Sequence, residues 1–296
     1  MFSGCTSLSY FNQNLINLTE ANLMFENCSN LGDWSNETKS LLRGSGMFKN
    51  SGIRNFYKFD SEEIKPLDLP NLMDGDEMFY NCDELVVFYG SLAKLTNADE
   101  MFYNCFALDT FHSDLSSLKK CSYMFSTCGK LTHFSANLDL LENAKDMFYC
   151  CSSLTDFASN LPSIVNGERM FCGCENFKGT NEFSEKDFYY LESALSMFYK
   201  CSAMTSFIYK TPHLTTANSM FYLCGSLNEV GHIASEGDTI PQVRSDFSKL
   251  TSAALMFSNC YSLTTFYSDL SSLIDASNTF NDCRDLTIFD CNLDKL

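Results

Sequence analysis

The sequence has no long apolar run, no basic cluster and no recognisable secretory leader. A membrane helix needs ~20 consecutive apolar residues, so membrane insertion of this segment is not expected. The formal charge is −17, with 37 acidic against 20 basic residues, and such a surface repels phosphate backbones. Nucleic acid is therefore not an expected partner. Met1 already belongs to a repeated unit, so we expect the chain to be a fragment of a longer protein.

Motifs for catalysis or cofactor binding are also missing. There is no Gly-rich phosphate loop and no nucleophile elbow. The four histidines occupy different places in the repeat, so no two need share a Cys or Asp partner: His112, His133, His213 and His232. The acid pairs Asp76-Glu77 and Asp99-Glu100 predict a solvated acidic stripe. We expect no enzyme activity, no cofactor and no metal site.

What the chain does contain is a periodic Met-Phe pair with a cysteine three residues after the Phe. Eight of the eleven spacings between copies are 23 residues, and the others are 31, 27 and 36. A period of this size is typical of a solenoid. The Phe of the pair stands at Phe2, Phe25, Phe48, Phe79, Phe102, Phe125, Phe148, Phe171, Phe198, Phe221, Phe257 and Phe280.

The unit, counted from Met as place 1, predicts the coil. Apolar residues recur at place 8 and aromatic residues at place 11, so equivalent side chains should stack into continuous columns. Small residues three before each Met predict a tight corner, and Asn, Asp or Ser at place 14 predicts a bend. Leu-x-x-Phe favours short parallel strands, and Ala-x-x-Met-Phe-x-x-Cys favours a short helical or 3₁₀ turn. We predict a right-handed solenoid of about twelve 23-residue units spanning residues 1–296 as a single domain.

Eleven of the fifteen cysteines share place 5. The third unit has Ser51 there, and a one-residue slip brings Ile53 and Phe56 into the apolar places. Cysteines that stack one per coil point the same way, which is poor geometry for a disulfide, and zinc needs four converging ligands. We therefore predict a column of buried free thiols. Its members are Cys5, Cys28, Cys82, Cys105, Cys128, Cys151, Cys174, Cys201, Cys224, Cys260 and Cys283.

The unit A-x-x-[MA]-F-x-x-C-x-x-L-x-x-[hydrophobic] resembles the BspA-like leucine-rich repeats. It is most similar to the Met-Phe-x-x-Cys subtype found in surface proteins of mycoplasmas, Firmicutes and gut bacteria, and sometimes in phage-encoded proteins. The resemblance covers nearly the whole chain. It implies a leucine-rich-repeat solenoid and a cell-surface or secreted protein active in adhesion or host-protein binding. The shared motif is structural, so it transfers no ligand residue.

Binding residues are expected in two places. The first is the three long units, 47–77, 170–196 and 220–255, because insertions in repeat arrays map to loops. Their candidates are Phe56, Tyr57, Phe59, Phe188, Tyr189, Tyr190, His232 and Arg244, with Phe183, Ile240 and Pro241 beside them. The second is place 3, which could form an exposed stripe or face the core: Tyr80, Tyr103, Tyr149, Tyr199 and Tyr222.

Two classes of function remain open at this stage. The chain could be a non-enzymatic binding module for an extracellular protein or glycan, either as a surface adhesin or as a receptor-binding part of a virion. It could instead be a purely structural spacer. We expect a cell-surface or extracellular location, with the virion as the alternative. Among the two sets of candidates, we expect the long units to carry the partner.

Overall fold

The computed structural model describes residues 1–60, 63–67, 69–179, 187–232 and 242–296, with Phe59 and Asp60 described by their backbone. The Phe rings of place 2 stack on one another without interruption from Phe2 to Phe280. Phe102 and Phe125, for example, lie 5.3 Å apart between ring centroids with their planes 2° from parallel. The twelve predicted units are therefore twelve rungs of one solenoid.

A second aromatic column interlocks with the first. Phe125 meets Phe111 edge to face at 4.8 Å and Phe134 at 5.3 Å, while Phe111 and Phe134 stack on each other at 5.7 Å. Edge-to-face contact places the positive ring edge against the negative ring face, a favoured arrangement. Each ring thus packs on rungs before and after its own, and one unit alone could not bury it.

Short strands run along one side of the solenoid, and most pair in parallel with the equivalent strand of the next unit. β9 and β10 both pair with β11, because the insertion in the third long unit divides one strand into two. β2 and β3 form an antiparallel hairpin within the first long unit. The strands are β1 Asn55–Phe56, β2 Lys58–Asp60, β3 Glu63–Lys65, β4 Val87–Tyr89, β5 Thr110–His112, β6 His133–Phe134, β7 Asp156–Phe157, β8 Ser206–Phe207, β9 Glu229–Val230, β10 Ser245–Asp246, β11 Thr265–Asp269 and β12 Ile288–Asn292.

The Met-Phe half of the unit is not helical, so the prediction of a helical or 3₁₀ turn is wrong for the described residues. Two places in each unit have left-handed backbone angles. They are place 4 and the residue directly before the next Met, which we call place 23 in long and regular units alike, as in Asn27 (φ 57°) and Leu23 (φ 53°). A right-handed helix cannot pass through such residues. Instead, Met24 donates its N–H within the turn to Ala21, whereas Phe25 donates to Met47 of the next unit. Backbone hydrogen bonds therefore alternate between closing turns and joining rungs.

Two predictions for the turns are confirmed: the tight corner at the small residue three before each Met, and the bend at place 14. A Cβ added to Gly75 would lie 3.2 Å from the sulfur of Met101, so the corner has no room for a large side chain. At place 14, Asp114 accepts a hydrogen bond from the N–H of Ser116 and Asn137 accepts one from Asp139. These side chains close turns in the way their residue types favour.

Candidate binding site

The cysteine column is part of the scaffold. Ten of its thiols donate a hydrogen bond to the carbonyl of the place 2 Phe in the previous unit, as Cys128 does to Phe102 at 3.2 Å. Burial raises the pKa of the Cys82 thiol to about 12 and also raises the pKa values of Cys105 and Cys128 well above the ordinary value. All fifteen cysteines are free thiols in this structure. A protonated, buried thiol is a poor nucleophile, so we expect the buried thiols of the column to be unreactive.

Cys5 belongs to the predicted column but is exposed, and Cys283 is half-buried, so the prediction of burial is wrong for Cys5. Thiol labelling should distinguish the buried members of the column from the exposed cysteines. We expect Cys5 and Cys150, which are exposed, to react rapidly in the native protein, and Cys105, Cys128 and Cys151 to react after denaturation. Mass spectrometry of peptides after a short pulse of maleimide provides the measurement. Rapid native labelling of Cys128 would contradict a buried column.

The tyrosines of place 3 form a stripe on the surface, and each ring is half-buried against its neighbours. Tyr80 and Tyr103 stack at 4.9 Å, and Tyr199 lies 5.3 Å from Tyr222. Two units interrupt the stripe with small residues, Ser126 and Cys172. The gaps at these two rungs leave an open groove around Tyr149.

We call this depression the tyrosine groove. It has a volume of about 360 Å³, within the range of ligand pockets. Place 3 and place 23 both contribute to it, because a turn brings them to the same surface. Its lining consists of Tyr103, Tyr123, Ser126, Asp146, Tyr149, Arg169, Cys172, Ser196 and Tyr199.

An ion pair lies on the floor of the tyrosine groove. Arg169 donates from Nε and Nη2 to the two carboxylate oxygens of Asp146, at 2.8 and 2.9 Å. The Asp146 side chain is 1% exposed, whereas that of Arg169 is 36% exposed. Tyr123 lies beside Asp146 in the lining of the groove. Arg169 engages both oxygens of the buried carboxylate, and its guanidinium remains partly exposed.

The acidic stripe, Asp76-Glu77 and Asp99-Glu100, lies in the units before the tyrosine groove. Its two aspartates connect neighbouring units through hydrogen bonds. Asp76 accepts a hydrogen bond from the N–H of Asp99 at 2.8 Å, and Asp99 accepts one from Ser122 at 2.7 Å. Glu77 pairs with Lys49, whose ammonium lies 4.5 Å above the ring of Tyr80. Two residues before the next Met, at place 22, Asp76 and Asp99 therefore connect neighbouring rungs. At place 23, Glu77 and Glu100 carry the charge of the stripe.

Asp76 should make stability depend on pH. Burial, together with the nearby Asp74 and Asp99, raises its pKa to about 6. Because the folded state then binds this proton more tightly than the unfolded state, stability should fall as pH rises from ~4 to 6. Asp76→Asn keeps an oxygen for the Asp99 N–H but loses the acceptor for the Asn97 side-chain amide, so we expect it to remove this part of the slope at some cost in stability at every pH. Urea unfolding at several pH values measures both effects.

The exposed Asp109→Asn serves as the control for that experiment. We expect its profile to follow that of the unmodified protein. An Asp76→Asn profile parallel to the unmodified one across pH 4–7 would show that Asp76 titrates normally.

The long-unit candidates fall into different environments. Phe56 and Phe188 are 0% and 1% exposed, so they fill the core beside the place 2 column. Tyr57 is half-buried, and the backbone of Phe59 lies in β2. Tyr189 and Tyr190 are exposed and pack around His213, at 5.5 and 5.9 Å. Phe183, Ile240 and Pro241 lie outside the described residues.

His232 and Arg244 belong to the third long unit and make local contacts. His232 bonds through Nδ1 to Glu229 at 2.8 Å, and its backbone pairs antiparallel with Val243. Arg244 lies 4.2 Å above the ring of Tyr267 and pairs with Asp290 at 2.7 Å. These contacts fix the base of the insertion to the following two units. The candidates from the long units therefore do not converge with the tyrosine groove.

Place 23 was missed by the sequence reasoning, although it supplies Tyr123, Asp146, Arg169 and Ser196 to the groove. A signal was present, since place 23 directly precedes the fixed Met-Phe pair and still varies widely from unit to unit. Among the described residues, no helix could span a membrane, and no three His, Cys, Asp or Glu side chains are grouped to hold a metal ion.

The stacked, parallel coils define a solenoid of the leucine-rich-repeat class. Residues 57–178 match the BspA type Leucine rich repeat region in six copies, and residues 165–289 match a "Mycoplasma protein of unknown function, DUF285". Residues 57–178 therefore carry leucine-rich repeats of the BspA type.

The fold is shared with a leucine-rich repeat protein of known structure. A leucine-rich repeat protein from Bacteroides ovatus is 16% identical, with a TM-score of 0.50 over 97% of this chain and 79% of its own. One from Eubacterium ventriosum is 15% identical, with a TM-score of 0.46 over 82% of this chain and 62% of its own. At these identities the likeness concerns the fold alone. No curated protein matches the chain.

Proposed function

We propose that this chain is a non-enzymatic binding module that recognises an extracellular macromolecule, as a cell-surface or secreted adhesion protein. Leucine-rich-repeat solenoids are scaffolds for protein interaction. The observation that carries the proposal is the tyrosine groove, where four tyrosines surround a buried ion pair on an otherwise regular surface. Large, amphipathic rings with an arginine are the residue types that dominate protein recognition.

The groove is a better candidate than the long units on the described residues. Two of the long-unit aromatics, Phe56 and Phe188, are in the core and offer no ring to a partner. Tyr189 and Tyr190 remain exposed, at 39% and 54%, and form a second candidate surface. The tyrosine groove differs from that surface in being concave and in having a fixed polar floor, which favours specific binding.

Binding to a panel of purified extracellular-matrix proteins and mucin-type glycans tests the proposal. We expect at least one panel member to bind the unmodified protein, and Tyr149→Ala to weaken that binding by about tenfold or more. Ser126→Tyr should do the same by filling the gap, and five units already accommodate Tyr at this place. Surface plasmon resonance gives the affinities.

Two control variants complete the design. Tyr10→Ala removes an exposed ring in the first unit, far along the chain from the groove, and should leave binding within about twofold. Tyr190→Ala probes the second surface. Binding that survives both Tyr149→Ala and Ser126→Tyr would rule out the groove, and binding lost in Tyr190→Ala instead would place the site in the second long unit.

A further inference from the structure

We propose that the tyrosine groove binds a proline-rich segment of the partner protein in the polyproline II conformation. This inference rests on the proposed function and specifies its ligand. Proline-rich segments bind to aromatic-lined grooves because their extended conformation is preformed and costs little entropy to fix. Three properties of the groove favour this ligand: the spacing of its rings, its hydrogen-bonding character and the charge at one end.

The first property is spacing. Tyr103, Tyr149 and Tyr199 stand on alternate rungs, because Ser126 and Cys172 occupy the rungs between them. Successive rungs of the Phe column over this stretch are 5.3 to 5.7 Å apart. Twice that interval is about 11 Å, whereas one turn of polyproline II, three residues of ~3.1 Å each, is about 9 Å, so neighbouring tyrosines match one turn to within about 2 Å. The tyrosines could therefore contact residues that face the same side of successive turns.

The second property is an excess of donors over free acceptors. Proline has no N–H, so a proline-rich backbone offers carbonyl acceptors and few donors. The groove offers the hydroxyl groups of its tyrosines and the partly exposed guanidinium of Arg169. Its one carboxylate, Asp146, is already bonded to Arg169.

The third property is charge. Glu100 occupies place 23 one unit before Tyr123, and Glu77 occupies it one unit earlier. Lys49 pairs with Glu77, while the Glu100 side chain is half-buried beside the stripe. A chain of net charge −17 attracts basic segments. The structure therefore favours a proline-rich segment flanked by Lys or Arg at the Glu100 end.

Isothermal titration with a synthetic peptide tests the inference. The probe is ten prolines with a lysine at each end, compared with a version carrying glycine at each end. We expect one saturable site per chain, weakened about tenfold or more by Tyr149→Ala and by Ser126→Tyr and unchanged by Tyr10→Ala. Glu100→Gln should weaken the lysine-flanked peptide selectively. Unfolding midpoints confirm that each variant is folded.

The outcomes separate this inference from the proposed function. Peptide binding that is lost with Tyr149→Ala supports both. If the peptide does not bind while neutral β-linked oligosaccharides do, and Tyr149→Ala abolishes their binding, the groove is a glycan site and the inference is wrong. If neither binds but a panel protein still requires Tyr149, the inference fails and the proposed function stands. If a ligand binds but none depends on Tyr149, the groove is not the site and the inference is wrong, and if no ligand binds at all, both are wrong.

Discussion

Replacing Phe125 by alanine will lower the free energy of unfolding by about 3–5 kcal/mol, because the change removes a fully buried ring and leaves a cavity. Phe125 contacts four other rings: Phe102 and Phe148 by stacking, and Phe111 and Phe134 edge to face. Neighbouring rungs are held in register by backbone hydrogen bonds, so the site cannot collapse easily. Urea unfolding followed by circular dichroism gives the value.

Phe106→Ala is the matched control for this experiment. Phe106 is the same residue type in an adjacent unit, but it is 54% exposed. Its replacement should change stability by less than about 1 kcal/mol, since little apolar surface is returned to water. Equal effects of Phe125→Ala and Phe106→Ala would contradict the assignment of place 2 to the core.

Removing Arg169 will be the second most costly change, at about 3 kcal/mol for Arg169→Ser. The substitution leaves the Asp146 carboxylate 1% exposed and without its cation, and an uncompensated buried charge is strongly destabilising. We place the value at the low end of the range for buried pairs because Arg169 itself is partly exposed. Urea unfolding at pH 7.5 measures it.

The double variant Asp146→Ser with Arg169→Ser shows whether the charge is the cause. Serine stands at the same place in the next two units, as Ser196 and Ser219, so the turn accepts it. Removing both partners should restore at least half of the stability lost with Arg169→Ser. A double variant less stable than the single one would show that Asp146 stabilises the fold even without Arg169, so its unpaired charge is not the cause of the loss.

Much of the core could be predicted from the sequence, because each column repeats one side chain at one place. Phe102, Leu108 and Cys105 occupy the interior as expected. The one-residue slip in the third unit could also be predicted from the sequence, and Ile53 and Phe56 are fully buried as it requires. The turn type was not readable, since left-handed angles at places 23 and 4 occur in residues as different as Leu23, Glu77 and Cys150. Hydrogen bonds to the next rung impose those angles, whatever the residue.

The sequence by itself determined that this protein is a solenoid, because a Met-Phe-x-x-Cys unit recurring every 23 residues can bury its apolar face only against copies of itself. The candidate site was decided by the tertiary structure. Tyr103, Tyr149 and Tyr199 are far apart along the chain, and Asp146 and Arg169 look like unrelated surface residues. Stacking places them side by side, since the turn before each Met brings place 23 next to place 3. The groove exists because two rungs carry small residues where their neighbours carry tyrosine.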